Sequence, residues 1–217
     1  MRVILITDSH GKGMGQEMTK IDNDLEIMTI SVGEKSSIVW SQVEAESDDI
    51  WKFWPEVFLI HLGHNDVVWN PKHNRQPLHP QEVFSLLLGK VQKLRDEYPG
   101  CRILVSNMFP RTVGPYFPMD RKGRYNMMVY QYGKTMREQL PSLGIEVILN
   151  GILWFKPSQG REYPIFLKPD GLHLSDVGKN FVAGRWVQAL RRGRREAEAS
   201  VQVQGITSIS SQRATTD

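Results

Sequence analysis

The sequence predicts an α/β domain: a three-layer α/β/α sandwich around a five-stranded, parallel, flavodoxin-like sheet. Three observations carry this expectation. Short apolar runs alternate with amphipathic stretches, the pattern of a parallel sheet covered by helices. No run approaches the roughly 18 apolar residues that a membrane span needs. The chain has 217 residues, 40% hydrophobic and 24% charged, an ordinary balance for one domain with a core.

The first run, Val3-Ile4-Leu5-Ile6, is short and β-branched and reads as a buried strand at 2–7. Further strands are expected at 25–31, 56–61, 102–107 and 145–149. Helices are expected near 12–20, 34–46, 80–98, 122–140 and 176–192. In the third of these, Val83, Leu86, Leu87, Val91 and Leu94 recur at helical spacing. Long connections at 67–79, 108–121 and 150–169 leave the carboxyl side of the sheet, where such folds bind ligands. From about Glu196 the chain turns to Ser, Thr, Gln and Ala, so 1–192 reads as the domain and 193–217 as a disordered tail.

Of the net charge of +3, two units fall in 191–217, where Arg191, Arg192, Arg194, Arg195 and Arg213 outnumber Glu196, Glu198 and Asp217, which leaves the body close to neutral. A near-neutral body is poor support for a phosphate-binding face. Cys101 is the single cysteine, so no intrachain disulfide can form, and it reads as a core residue. No secretory leader pattern follows Met1-Arg2, which predicts an intracellular, cytoplasmic chain.

Three clusters bear chemistry. The first strand runs into Thr7-Asp8-Ser9-His10-Gly11. A serine at a strand-to-helix turn exposes its hydroxyl at the sheet edge, with its own N–H near a helix start. The plain alternative makes Ser9 or Asp8 a helix cap. The third strand ends in Gly63-His64-Asn65-Asp66, where Asn65 can donate to a developing oxyanion and Asp66 can hold the loop. The plain alternative is an Asx turn. Before the last helix stands Asp170-Gly171-Leu172-His173. A carboxylate three residues before a histidine can fix its tautomer and stabilise the imidazolium. The alternatives are a turn residue and a residue at the helix start.

Serine after the first strand, Gly-x-Asn-Asp after a middle strand and Asp-x-x-His before the last helix together resemble the SGNH/GDSL hydrolases over about residues 2–192. The resemblance implies an esterase in which Ser9 attacks the acyl carbon, His173 is the base and Asp170 orients it. It also implies an oxyanion hole from the N–H of Ser9, the N–H of Gly33 and the Asn65 side chain. Gly33, in Ser31-Val32-Gly33-Glu34, has poorly matching surroundings, and a simple turn glycine is the alternative. Two departures are Thr7, where the family usually has glycine, and His10, where it often has leucine. The chemistry needs no metal or organic cofactor.

Two other classes compete. Asp8-Ser9-His10 matches the Asp-x-His that opens dinuclear metallophosphoesterase patterns, but no Gly-His-x-His follows anywhere in the chain. His10, His61 and His64 then read as pocket-lining or capping residues. A binding module for lipid or nucleic acid would use Arg111, Arg121, Lys122, Arg124 and the cluster Arg191-Arg192-Gly193-Arg194-Arg195. That cluster equally suits a solvated helix end. For the substrate, Trp69, Tyr116 and Phe117 are expected to line an acyl groove for a small-molecule or lipid ester, with loop packing as the alternative. Trp51, Trp54 and Trp154 read as core or edge packing. The stretch from Asp170 to Gly184 also resembles esterase domains of retroelement polyproteins, which implies flanking polyprotein domains as partners.

Overall fold

Five strands lie parallel in the order β2-β1-β3-β4-β5: β1 Arg2–Thr7, β2 Glu26–Ser31, β3 Val57–His61, β4 Arg102–Ser106 and β5 Glu146–Ile148. The computed structural model describes residues 1–67, 77–111, 119–150 and 166–213, with side chains described except at 119–123 and 196–213. The helices are α1 Met14–Ile21, α2 Ser36–Ala45, α3 Ser47–Phe53, α4 Pro80–Glu97, α5 Met119–Gln139 and α6 Asp176–Arg213.

The sheet is covered on both faces, so its inner strands read as continuous apolar runs rather than alternating ones. Ile4, Ile6, Phe58, Ile60 and Val105 point into one core with residues of α2, α4 and α5. Val3, Leu5, Val57, Leu59 and Leu104 point the other way, onto Met14 and Met18 of α1 and Val182, Trp186 and Leu190 of α6. This is the predicted sandwich, and the strands fall within two residues of their expected limits.

Three particulars differ from expectation. The α3 helix was not expected; only Ile50 is buried and Phe53 partly so, an apolar face too short to mark a helix in the sequence. Trp51 and Trp54 are 46% and 61% exposed, Trp51 lying against Tyr98. The last helix passes 192 and stays helical in its backbone to Arg213.

Register fixes where the site is built. Thr7 of β1 pairs with Ser31 of β2 and with His61 of β3, so these three end level at the carboxyl edge. The crossover from β1 runs to β2, and the later strands lie on the other side of β1. The edge between β1 and β3 is therefore the topological switch point, the crevice where such sheets hold ligands.

Candidate active site

The turn after β1 divides its duties between two residues. Asp8 is the cap: its Oδ1 accepts the His10 N–H at 3.0 Å at the head of a short 3₁₀ turn, Ser9–Gly11. Ser9 is left partly exposed at the start of that turn. The helix-cap alternative thus describes Asp8 and leaves the hydroxyl of Ser9 outside the cap. Thr7 is fully buried, and a Cβ on Gly11 would come within 2.0 Å of its hydroxyl. The extra bulk of Thr7 is absorbed by the glycine four residues on.

Gly33 stands beside the serine. A Cβ built on it would lie 4.0 Å from the Ser9 Cβ, an ordinary contact. The next loop is tied to this one twice. The Asn65 side-chain N–H donates to the Glu34 carbonyl at 3.0 Å. Asp66 Oδ2 accepts from the Ser36 hydroxyl at 2.5 Å and from the Ser36 N–H at 3.2 Å, which anchors the start of α2. Burial pushes the Asp66 carboxyl up, and the two Ser36 bonds oppose that. An amide nitrogen has two hydrogens, so the Glu34 bond orients Asn65 and leaves its second donor unused by that bond. Gly63, at φ +114°, makes the sharp turn between β3 and this loop.

Asp170 uses both oxygens. Oδ1 accepts the N–H groups of Leu172 and His173 at 2.8 and 2.9 Å, closing an Asx-type turn around Gly171 at φ +68°. Oδ2 lies 2.8 Å from His173 Nδ1. Burial pushes the Asp170 carboxyl up, but the bonds from the His173 ring and the two backbone N–H groups outweigh it, so it is held below the usual carboxylate range. Turn residue and orienting carboxylate are one residue here. The segment is braced by the Leu167–Leu174 bridge and by Ser175, whose hydroxyl accepts the Gly178 N–H at the start of α6.

Behind Ser9 lies a set of buried imidazoles. The His10 ring stacks on His64 with centroids 4.1 Å apart and on His173 with centroids 5.3 Å apart. His61 meets His64 edge-on at 4.7 Å. Burial, then the neighbouring His64, holds His10 well below the usual histidine range, and the same two causes hold His61 down to about 3. Burial, then Arg111 and His173, lowers His64 as well. All three are neutral near pH 7. Arg111, a candidate of the alternative binding-module reading, is buried, its guanidinium 4.3 Å from the Tyr125 ring centroid. Of the terminal cluster, Arg191 pairs with Asp22 and Arg192 with Glu146.

Asp8, His10 and His64 bring three potential ligand atoms within 4.8 Å of one another, so the metal alternative has a geometric basis. The hydrogen bonding of His64 argues against it. Its Nε2 accepts the Phe109 N–H at 2.8 Å, so the neutral ring carries its proton on Nδ1. That Nδ1 is the atom 3.4 Å from Asp8 Oδ2, and a proton occupies the lone pair a metal would need.

The structure thus brings Ser9 beside Gly33, ties Asn65 to the residue after Gly33, and joins Asp170 to His173, whose ring lies against the residue after Ser9. Trp69, Tyr116, Phe117 and Trp154 lie outside the described residues. The hydrogen bond that His64 accepts from Phe109 and the burial of Arg111 were not foreseen; the signal was polar side chains in the loops that follow two buried strands.

No family model matches the chain, and no curated protein matches it in sequence. Solved structures share its fold. A lipase/acylhydrolase from Enterococcus faecalis aligns over 89% of this chain and 96% of its own, with TM-score 0.63 and 15% identity. A GDSL-like lipase from Bacteroides thetaiotaomicron aligns over 88% of each chain, with TM-score 0.63 and 14% identity. An acetyl xylan esterase covers 87% of this chain and 99% of its own, with TM-score 0.63 and 18% identity. The fold is that of the SGNH/GDSL acylhydrolases.

Proposed function

We propose that the chain is a serine-dependent carboxylic ester hydrolase, with Ser9 as nucleophile, His173 as base and Asp170 as its orienting group. One observation carries the reading most: the Asp170 carboxylate holds His173 Nδ1 at 2.8 Å, at the sheet edge where Ser9 sits beside Gly33. A carboxylate on Nδ1 leaves Nε2 as the lone-pair nitrogen, the state a base must be in.

In the proposed cycle the Ser9 hydroxyl gives its proton to His173 Nε2 while Oγ bonds to the acyl carbon. The carbonyl electrons move onto oxygen, where the N–H groups of Ser9 and Gly33 and the Asn65 amide donate to them. The tetrahedral centre collapses, the ester C–O bond breaks, and His173 returns the proton to the leaving alcohol. Water then repeats the sequence on the acyl-enzyme, releasing the acid and restoring Ser9. Asp170 stays ionised throughout and stabilises the imidazolium.

For the acyl or leaving group, Phe166 and Phe181, with ring centroids 5.3 Å apart, and the exposed Val177 offer apolar surface next to the His173 segment. Trp69, Tyr116 and Phe117 remain candidates for the same purpose. The test is turnover of short and medium acyl esters, with and without chelator. Ser9→Ala and His173→Ala should each abolish it, and chelator should leave it unchanged. Chelator-sensitive phosphatase activity that survives Ser9→Ala would transfer the reading to Asp8, His10 and His64.

A further inference from the structure

We infer that His10 is a positioning residue for the base: its buried ring is the wall that sets the plane of the His173 imidazole. The inference rests on the hydrolase reading above. His173 stands on a turn, with 41% of its side chain exposed, and Asp170 holds it at one atom only, Nδ1. A single hydrogen bond leaves the ring free to rotate about that contact. A flat surface against its face removes that freedom.

His10 supplies such a surface and is itself fixed from several sides. Its ring is 21° from parallel with His173 and 17° from parallel with His64, so it stacks on rings from two other segments. The backbone N–H of His10 is held by Asp8 Oδ1, and its Nε2 lies 3.4 Å from Arg111 Nη2. Arg111 is anchored in turn by its N–H to Asn126 at 2.8 Å and by Tyr125. His64 is pinned by the Phe109 N–H and backed by the edge of His61. The rigid end of the stack is in the sheet, and its free end is the base.

Charge favours the arrangement too. When His173 takes the serine proton, it becomes a cation stacked on an uncharged ring. Burial keeps His10 neutral, so the two rings do not become like charges. A residue within van der Waals reach of the base but touching no reacting atom acts through orientation, where a misplacement of about 1 Å can cost on the order of 10²-fold.

The experiment compares His10→Ala, which removes the wall, with His10→Phe, which keeps a flat ring. Both are assayed for kcat and KM beside Ser9→Ala, with urea midpoints to confirm folding. His10→Ala should lose roughly 10- to 100-fold in kcat with KM within about twofold, and His10→Phe should recover most of it. A folded His10→Ala at wild-type kcat, an effect on KM alone, or a His10→Phe as impaired as His10→Ala would each overturn the inference. Should the Ala variant fail to fold, nuclear Overhauser contacts between the His10 and His173 rings in the wild-type protein decide it. Their presence supports the wall and their absence overturns it. Turnover surviving in Ser9→Ala marks a failure of the hydrolase reading, whereas its loss beside a normal His10→Ala marks a failure of this inference alone.

Discussion

At the scale of single residues, the plain and the chemical readings of a side chain turn out to be compatible. Asp170 closes a turn with one oxygen and holds an imidazole with the other. Replacing it with asparagine preserves the acceptor of the turn but exchanges a charge for an amide that can hold the wrong tautomer. Asp170→Asn should therefore lose about 10²–10⁴-fold in kcat while its urea midpoint stays near wild type. An equal loss in stability would mean that the turn was its main task. Asn65→Ala should cost about 10²–10³-fold in kcat with little change in KM, as expected of a donor that bonds more strongly in the transition state. Sequence order singled out these two residues as candidates because the proposed chemistry demands particular residue types. It could not reveal Arg111 as a buried residue, since a lone arginine in a loop carries no mark of what covers it.

At the scale of elements, the loop after β2 and the loop after β3 act as one piece. Asn65 reaches the carbonyl of Glu34, and Asp66 reaches Ser36. Asp66→Ala leaves the buried Ser36 N–H and hydroxyl without this partner, which should cost about 1–3 kcal/mol in stability. It should also lower kcat, because Gly33 and Asn65 would lose their common anchor; unchanged kcat in a folded variant would separate the tether from the site. A tighter joint lies where α6 meets the His173 segment. A Cβ on Gly178 would come within 2.1 Å of the Phe166 carbonyl, so Gly178→Ala should be destabilising by about 1–3 kcal/mol and should displace the base. Elements with strong patterns were legible: β1, β3 and β4 are buried on both faces and read as apolar runs. The α3 helix was not, because Trp51 within it and Trp54 just after it, the conspicuous apolar residues there, are exposed.

For the whole molecule, the sheet order places the candidate site at the switch point between β1 and β3, and the price is a core that holds neutral histidines. In the unfolded chain each histidine gains a proton near pH 6.5, while buried His10, His61 and His64 resist it. Below that pH the unfolded state binds more protons, so stability falls as pH falls and is fully present above about pH 7. At pH 5.5 each ring accounts for a loss of about 1.4 kcal/mol, or about 4 kcal/mol for the three. Urea midpoints at pH 7.5 and 5.5 should show it, and His61→Leu should reduce the difference by about a third; a flat response would contradict the neutral, buried assignment. Sequence alone placed these histidines near the crevice but could not show that they stack, because stacking depends on three segments converging.

The proposal that Ser9 is a nucleophile served by His173 is tested most directly by covalent capture. The protein is treated with a fluorophosphonate, digested and mapped by mass spectrometry. A single adduct on the peptide containing Ser9, formed far more slowly in His173→Ala and unaffected by chelator, is the expected result. Absence of an adduct on the folded protein, or an adduct at another residue that persists in Ser9→Ala, would contradict it.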